Sequence, residues 1–156
     1  MKKLLTLILV LSFLVGCAPK EKAKFTKDDA SIVVNGVTLT PGMKYSSPAL
    51  SGWLEFAELT SCAYKGNDKV FDYTGFSLFT YSDGIDDFIL SIEFVDTTQT
   101  KKGLKIGSTK ADVIKAYGED FDIKLLNMVY TDGQTNLIFL VINDKVEGIS
   151  LNYRPQ

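Results

Sequence analysis

The stretch GLKIGSTKADVIKAYG, residues 103–118, carries the strongest local structural signal in this 156-residue chain. Thr109 and Asp112 have the spacing of a capping box, in which each side chain accepts a hydrogen bond from a backbone N–H of the other's turn. Gly118 can take the positive φ that ends a helix without a Cβ penalty. The spacing therefore predicts one short helix from Thr109 to Tyr117. Its apolar face is formed by Val113, Ile114 and Tyr117.

Strand signals lie on both sides of this helix. Runs of β-branched, aromatic and aliphatic residues, separated by turns rich in Asn, Asp and Gly, predict antiparallel strands. The runs are residues 32–34, 37–39, 76–81, 89–94, 127–130, 137–142 and 146–151. The segments Lys65–Lys69 and Thr131–Thr135 lack the pattern of a phosphate-binding loop, so we interpret both as hairpin turns.

The two halves of the chain also show an internal repeat. Val37, Leu39, Gly42 and Gly52 correspond to Leu104, Ile106, Gly107 and Gly118, and Ile89, Ile92 and Phe94 correspond to Val146, Ile149 and Leu151. The sequence thus predicts an α+β fold of two tandem repeats, about residues 35–96 and 103–151. Each repeat is expected to hold a short helix and an antiparallel meander, with the helices on one face of the sheet. Ser46, Ser47 and Pro48 should make the first helix shorter or irregular.

The start of the chain has the features of an export signal. Lys2 and Lys3 precede an apolar run, residues 4–16, which is too short to cross a bilayer. The end of this run, Leu14-Val15-Gly16-Cys17, resembles the lipobox of bacterial lipoproteins. The resemblance implies that residues 1–16 are a signal peptide and that Cys17 receives a diacylglycerol. We therefore expect a protein anchored to the cell membrane by lipid, on its extracytoplasmic side.

Composition limits what the exported domain can do. Residues 17–30 are charged and are expected to form a flexible tether, and residues 31–156 should form the globular domain. Cleavage after residue 16 leaves 15 Lys and Arg against 19 Asp and Glu, and this acidic balance excludes a nucleic-acid footprint. The chain has no His, which excludes Ser-His-Asp and Cys-His catalysis and His-ligated zinc. Cys62 is then the one usable thiol, and we expect it to be a small buried residue.

The string from Gly103 to Val113, ending at Tyr117-Gly118, is similar to the repeat of BamE/SmpA-like outer-membrane assembly lipoproteins and of β-lactamase inhibitor protein (BLIP). It also resembles small lipoproteins of Firmicutes, in which a stretch like Ser61–Tyr64 recurs. Both named families bind proteins, so the resemblance implies a binding function; BLIP covers its target with an aromatic and polar sheet face. No BLIP contact residue is carried over, because no motif here matches its contact loops. A single thiol at Cys62 also departs from the disulfides of BLIP.

We predict no catalytic residues, no metal site and no cofactor. Aromatic residues concentrate in the first half, where Trp53, Tyr64 and Tyr73 stand beside polar or turn residues and are the candidates for binding another extracytoplasmic protein. The carboxylates of Asp83–Asp87 do not have the spacing of a calcium loop, so a solvated turn is expected. The alternative function is a lipoprotein that binds a small ligand or cell-wall glycan, or a cryptic hydrolase, using acids and aromatics of the first half.

Overall fold

The computed structural model describes residues 24–45 and 50–156. The predicted signal peptide, Cys17 and the expected interruption at residues 46–48 lie outside this part. A 3₁₀ turn, Lys27–Asp29, precedes the first strand. The strands are β1 (Ile32–Val34), β2 (Val37–Leu39), β3 (Glu55–Thr60), β4 (Asn67–Tyr73), β5 (Phe76–Ser82), β6 (Asp87–Phe94), β7 (Asp122–Lys124), β8 (Asn127–Thr131), β9 (Thr135–Ile142) and β10 (Lys145–Tyr153). The α-helix α1 (Lys110–Tyr117) precedes β7.

Eight strands form one antiparallel sheet in the order β3-β4-β5-β6-β10-β9-β8-β7, and β1 and β2 form a separate hairpin. Strands β3–β6 and β7–β10 are two consecutive meanders, which join where β6 pairs with β10. In this pairing Glu93 lies opposite Ser150. The sequence alignment of the two halves makes these two residues equivalent.

The predicted α+β class, with a helix in each repeat, is wrong. The protein is mostly β, and α1 is the single α-helix of the described residues. The capping box of Thr109 and Asp112 has no counterpart in the aligned segment of the first half, although Gly52 there corresponds to Gly118. The prediction also missed β3 and β4, because charged residues interrupt their apolar pattern. Part of the predicted Lys65–Lys69 turn, from Asn67 onward, is the start of β4.

The two halves nevertheless share backbone hydrogen bonds at the same places. In the first half, Gly42 N–H donates to the Ile89 carbonyl at 2.7 Å, and Tyr45 N–H donates to the Asp87 carbonyl at 2.8 Å. In the second half, Gly107 N–H donates to the Val146 carbonyl at 2.7 Å, and Lys110 N–H donates to the Asp144 carbonyl at 2.9 Å. Each pair ties the segment preceding a meander to the last strand of that meander.

The prediction of α1 is confirmed at both ends. Thr109 is the N-cap, its Oγ1 accepts from Asp112 N–H at 3.1 Å, and Asp112 Oδ2 accepts from Thr109 N–H at 3.0 Å. Thr109 Oγ1 also donates to Asp112 Oδ2 at 2.7 Å, and the hydrogen bonds that this carboxylate accepts from the side chain and the backbone N–H of Thr109 lower the pKa of Asp112. Gly118 has φ +86° and ends the helix. Val113 and Tyr117 are fully buried, and the Tyr117 ring lies 5.7 Å from that of Phe139 on β9.

The core lies between one face of the sheet and a layer built from the N-terminal segment, the β1–β2 hairpin and α1. Phe25 packs on the rings of Tyr117 and Tyr130, at 6.4 and 6.1 Å. Ala30 is also fully buried. The sequence predicts that the folded part begins at Ser31. In the structure it begins earlier, because Phe25 supplies an apolar anchor within the charged segment.

An ion pair between Lys102 and buried Asp29 fastens this N-terminal segment to the second half. Lys102 Nζ lies 3.1 Å from Asp29 Oδ2, donates to the Lys24 carbonyl at 2.9 Å, and stands 4.5 Å from the centroid of the Tyr117 ring. Asp29 is buried, and its Oδ2 also accepts from Thr26 N–H at 2.8 Å. The chain therefore leaves the described region beside the second half of the sheet.

Candidate functional site

Strand β3 is an uncovered edge of the large sheet. All six of its residues are exposed, and among the described residues β4 is its one partner strand. Its outer backbone N–H and C=O groups are therefore open for pairing, which is the condition under which an edge strand recruits another chain. The opposite edge, β7, has only three residues and offers much less backbone.

Four large apolar side chains make this edge unusual, and we call them the β3 patch: Trp53, Leu54, Phe56 and Leu59. Trp53 is 39% exposed and Leu59 is 72% exposed. The Trp53 and Phe56 rings lie 6.3 Å apart. Both rest on buried Phe71 of β4, at 5.5 and 5.0 Å, which fixes their positions. A rigid aromatic pair can bind at little entropic cost, because few rotamers remain to be lost.

The register of β3 on β4 explains how the patch forms. Phe56 lies opposite Phe71, and Glu58 lies opposite Lys69. Alternation along the strand then places Leu59 on the other face of the sheet. Asn67 Nδ2 donates to Glu58 Oε1 at 2.8 Å, so this carboxylate is held by its neighbours. Apolar side chains are therefore present on both faces of the edge strand.

Tyr73, a predicted binding residue, has a structural position. Its ring stacks on Phe76 at 4.6 Å, and its hydroxyl donates to the Leu50 carbonyl at 2.7 Å. Burial raises the pKa of Tyr73. The half-buried ring lines a cavity of about 240 Å³ with Val34 and Gly52 among others. Tyr73 thus holds the segment before β3 against the sheet.

Tyr64 lies at the other end of β3 from Trp53. Its half-buried ring packs on Tyr81 at 5.0 Å, and Tyr81 stacks on Phe88 at 5.4 Å. Trp53 precedes the six-residue strand and Tyr64 follows it, so about 20 Å separate them. The three predicted residues therefore do not form one surface. Of the three, only Trp53 belongs to the β3 patch.

Sequence reasoning missed Leu54, Phe56 and Leu59 as surface residues. The available signal was the alternation of Trp53-Leu54-Glu55-Phe56-Ala57-Glu58-Leu59, in which charged residues interrupt an apolar run. Such a run is typical of a strand that is exposed on both faces. Assigning β3 would have made its edge position the next question.

The prediction that Cys62 is buried is wrong, because the thiol is exposed. Cys62 lies in the connection between β3 and β4, where Ser61 Oγ accepts from Ala63 N–H at 3.2 Å and Tyr64 N–H at 2.9 Å. This local turn directs the Cys62 side chain toward solvent. A side chain at the tip of such a turn has no core to enter.

Three carboxylates at the β5–β6 turn are engaged with groups of the first half. Backbone N–H groups of Asp86 and Ile85 donate to Asp83 Oδ1, both at 2.8 Å, and they lower its pKa. Asp86 pairs with Lys44 at 2.8 Å, and Asp87 pairs with Lys69.

Residues 31–96 hold three Lys and nine Asp or Glu, a net charge of −6. The β3 patch therefore lies in an acidic half of the protein.

Comparison with protein-family models, with curated proteins and with solved structures found no match to this chain. Within residues 24–45 and 50–156, no cluster of three or more His, Cys, Asp or Glu could hold a metal ion. The same residues include no helix that is long and apolar enough to span a membrane.

Proposed function

We propose that the protein is an extracytoplasmic lipoprotein, anchored through Cys17, that binds another protein through its β3 patch. The observation that carries the proposal is an edge strand with all six residues exposed and with Trp53 and Phe56 in contact above buried Phe71. Trp is enriched at binding hot spots, and water-exposed apolar area of this kind is released when a partner covers it.

The edge adds a second source of affinity and a charge preference. A partner strand could pair with the open backbone of β3, as in peptide recognition by strand addition. Glu55 and Glu58 lie on this strand, in a half with a net charge of −6. A partner segment that alternates apolar and basic residues therefore suits the edge, because opposite charges assist encounter and register.

The lipid anchor is tested in cells. Metabolic labelling with a fatty-acid analogue should mark the wild-type chain and leave the Cys17→Ala variant unlabelled and uncut, because lipid transfer and cleavage both need the thiol. Equal labelling of the two chains would contradict the anchor. Cys62→Ala is the matched control and should be labelled like the wild type.

Binding is tested by photocrosslinking in intact cells with a photoreactive residue at position 59. Leu59 should yield a discrete protein adduct, and the same residue at Ile85, an exposed aliphatic side chain on the β5–β6 turn, should not. Trp53→Ala should weaken the purified complex by about 2 kcal/mol, roughly thirtyfold in Kd. Identical adducts from positions 59 and 85, or unchanged affinity after Trp53→Ala, would overturn the β3 patch as the binding surface.

A further inference from the structure

The hairpin turn between β7 and β8 exposes a second apolar surface. Leu125 and Leu126 form the turn, and Leu125 is 95% exposed. Ile123 on β7 and Ile142 on β9 are also exposed. Beyond the last β8–β9 pair, Asn127 with Leu140, the Leu126 carbonyl accepts from Val141 N–H at 2.9 Å, so these four residues lie at the same end of the second half. We call this surface the Leu125–Leu126 tip.

The backbone of the tip is unusual for its residue type. Leu125 has φ +58°, a left-handed conformation that strains a residue with a bulky side chain. Other hairpin turns of this chain place Asn35-Gly36 or Asn143-Asp144 at their positive-φ positions, the residues such turns favour. Packing does not explain the leucine, because its side chain lies in solvent. An exposed, strained apolar residue at a turn indicates a function for the side chain.

Basic residues border the tip. Lys110 lines a cavity of about 320 Å³ together with Leu125 and Leu126, and Lys124 directly precedes the turn. Lys145 lines a neighbouring cavity with Lys110. None of these three lysines forms an ion pair within the part of the chain that the structure describes. Asp144 lines both cavities and is the one carboxylate there, so the border of the tip is net positive.

The N-terminal segment packs against the second half of the protein, the half that carries the tip. Six residues separate Cys17 from Lys24, so the Cα atoms of these two residues lie at most about 25 Å apart. Phe25 contacts Tyr130 on β8, which is four residues along the chain from Leu126 in the turn before that strand, or about 13 Å. Strand β3 is six strand positions away from β8, or about 29 Å. The tip therefore lies within reach of an anchored membrane, and the β3 patch lies farther from the point of attachment.

We propose that the Leu125–Leu126 tip contacts the surface of the bilayer to which the protein is anchored. The two leucines enter the boundary between headgroups and acyl chains, and Lys110, Lys124 and Lys145 face the phosphates of anionic lipids. A single weak contact of this kind suffices, because the anchor keeps the domain at high local concentration. The inference rests on the proposed lipid anchor. It gives the domain an orientation in which the second half faces the membrane and β3 faces away.

The test attaches the chain chemically, so that it does not depend on lipidation in cells. Residues 17–156 carrying Cys62→Ser are coupled through Cys17 to a maleimide lipid in vesicles of phosphatidylglycerol and phosphatidylcholine. Trp53→Phe removes the natural tryptophan, and Leu125→Trp introduces a reporter at the tip. The matched control carries Ile85→Trp, at an exposed turn of the first half. Tryptophan emission is then measured with and without bromine on the lipid acyl chains.

Membrane contact predicts a blue-shifted emission from the Leu125→Trp chain that is quenched by brominated acyl chains, and an unquenched emission from the Ile85→Trp chain. Replacing phosphatidylglycerol by phosphatidylcholine should reduce the quenching, because the lysines then lose their anionic partners. Absent quenching at position 125, or equal quenching at both positions, would overturn the proposal. Since Cys17 is coupled chemically, that failure is distinct from failure of the anchor, which the labelling of Cys17→Ala detects. Circular dichroism melting of each variant establishes that it is folded.

Discussion

The two halves of the sheet have the same four-stranded meander and opposite surfaces. In the second half Tyr117, Tyr130 and Phe139 are fully buried, while in the first half Trp53 and Phe56 are exposed on an edge. Residues 101–156 hold eight Lys and Arg against seven Asp and Glu, whereas residues 31–96 have a net charge of −6. One strand arrangement can therefore present a buried half and an exposed apolar edge, depending on which side chains reach solvent.

Helix α1 accounts for much of this difference. It covers the second half with Val113 and Tyr117 and leaves only the three-residue β7 at that edge. The first half ends instead on β3, which carries apolar residues on both faces. Natural edges are usually short or charged to prevent pairing with other chains, and a long edge with Trp and Leu is therefore expected to have a partner.

The largest effect should come from breaking the structural half. Val113 is a fully buried residue of α1, so Val113→Asp places a carboxylate in the core. This substitution should unfold the domain, because its cost approaches the domain's whole free energy of unfolding, about 5–15 kcal/mol. Ala111 is exposed on the same helix, and Ala111→Asp should melt like the wild type. Equal melting temperatures of the two variants, measured by circular dichroism, would contradict the assigned packing of α1.

A pH titration sharpens the same contrast. Burial raises the pKa of Tyr117 to about 12, from 10 in the unfolded chain. The folded state therefore holds this proton more tightly, and its contribution to stability is complete below pH 10 and is lost as pH rises toward 12. By linkage the loss is about 2 kcal/mol at pH 12. Denaturant melts at pH 8 and 11.5 should show a smaller pH-dependent loss for Tyr117→Phe than for the wild type, and identical losses would refute this burial.

The clamp between the N-terminal segment and the second half gives an intermediate effect. Lys102→Met removes the partner of buried Asp29, which keeps its hydrogen bond from Thr26, and should cost about 1–2 kcal/mol. Lys101→Met is the neighbouring control, since Lys101 is exposed and donates to a backbone carbonyl, that of Asp28, at 3.3 Å, and not to a buried carboxylate. Urea unfolding of both variants measures this difference in the free energy of unfolding. Equal stability would mean that Lys102 does not hold the segment.

The smallest effect is expected at Cys62 in the first half. Because the thiol is exposed, Cys62→Ser should change the free energy of unfolding by less than about 0.5 kcal/mol. The native protein should also react with a bulky thiol reagent as fast as a short peptide does. A thiol that reacts only after denaturant is added would place Cys62 in the interior.

The parts of the fold that follow from local chemistry could be predicted from the sequence. The capping box at Thr109 and Asp112 fixed α1 to the residue, and turn signals such as Asn35-Gly36 located hairpins. Strand β3 was missed because its Glu residues interrupt the apolar pattern, and the alternation of residues 53–59 was the signal that could have revealed it. The candidate site was therefore not predicted either. The exposure of Phe56 and Leu59 depends on the position of β3 as the last strand of the sheet, which is a property of the tertiary structure.

The most direct test of the account compares photocrosslinks from one residue in each half of the anchored protein in living cells. With a photoreactive residue at Leu59 on the β3 edge, the adducts should be a discrete protein. With the same residue at Leu126 on the tip, the adducts should be phospholipid, which mass spectrometry distinguishes. Protein adducts at position 126 together with lipid adducts at position 59, or the same adducts at both positions, would contradict a protein-binding first half and a membrane-facing second half.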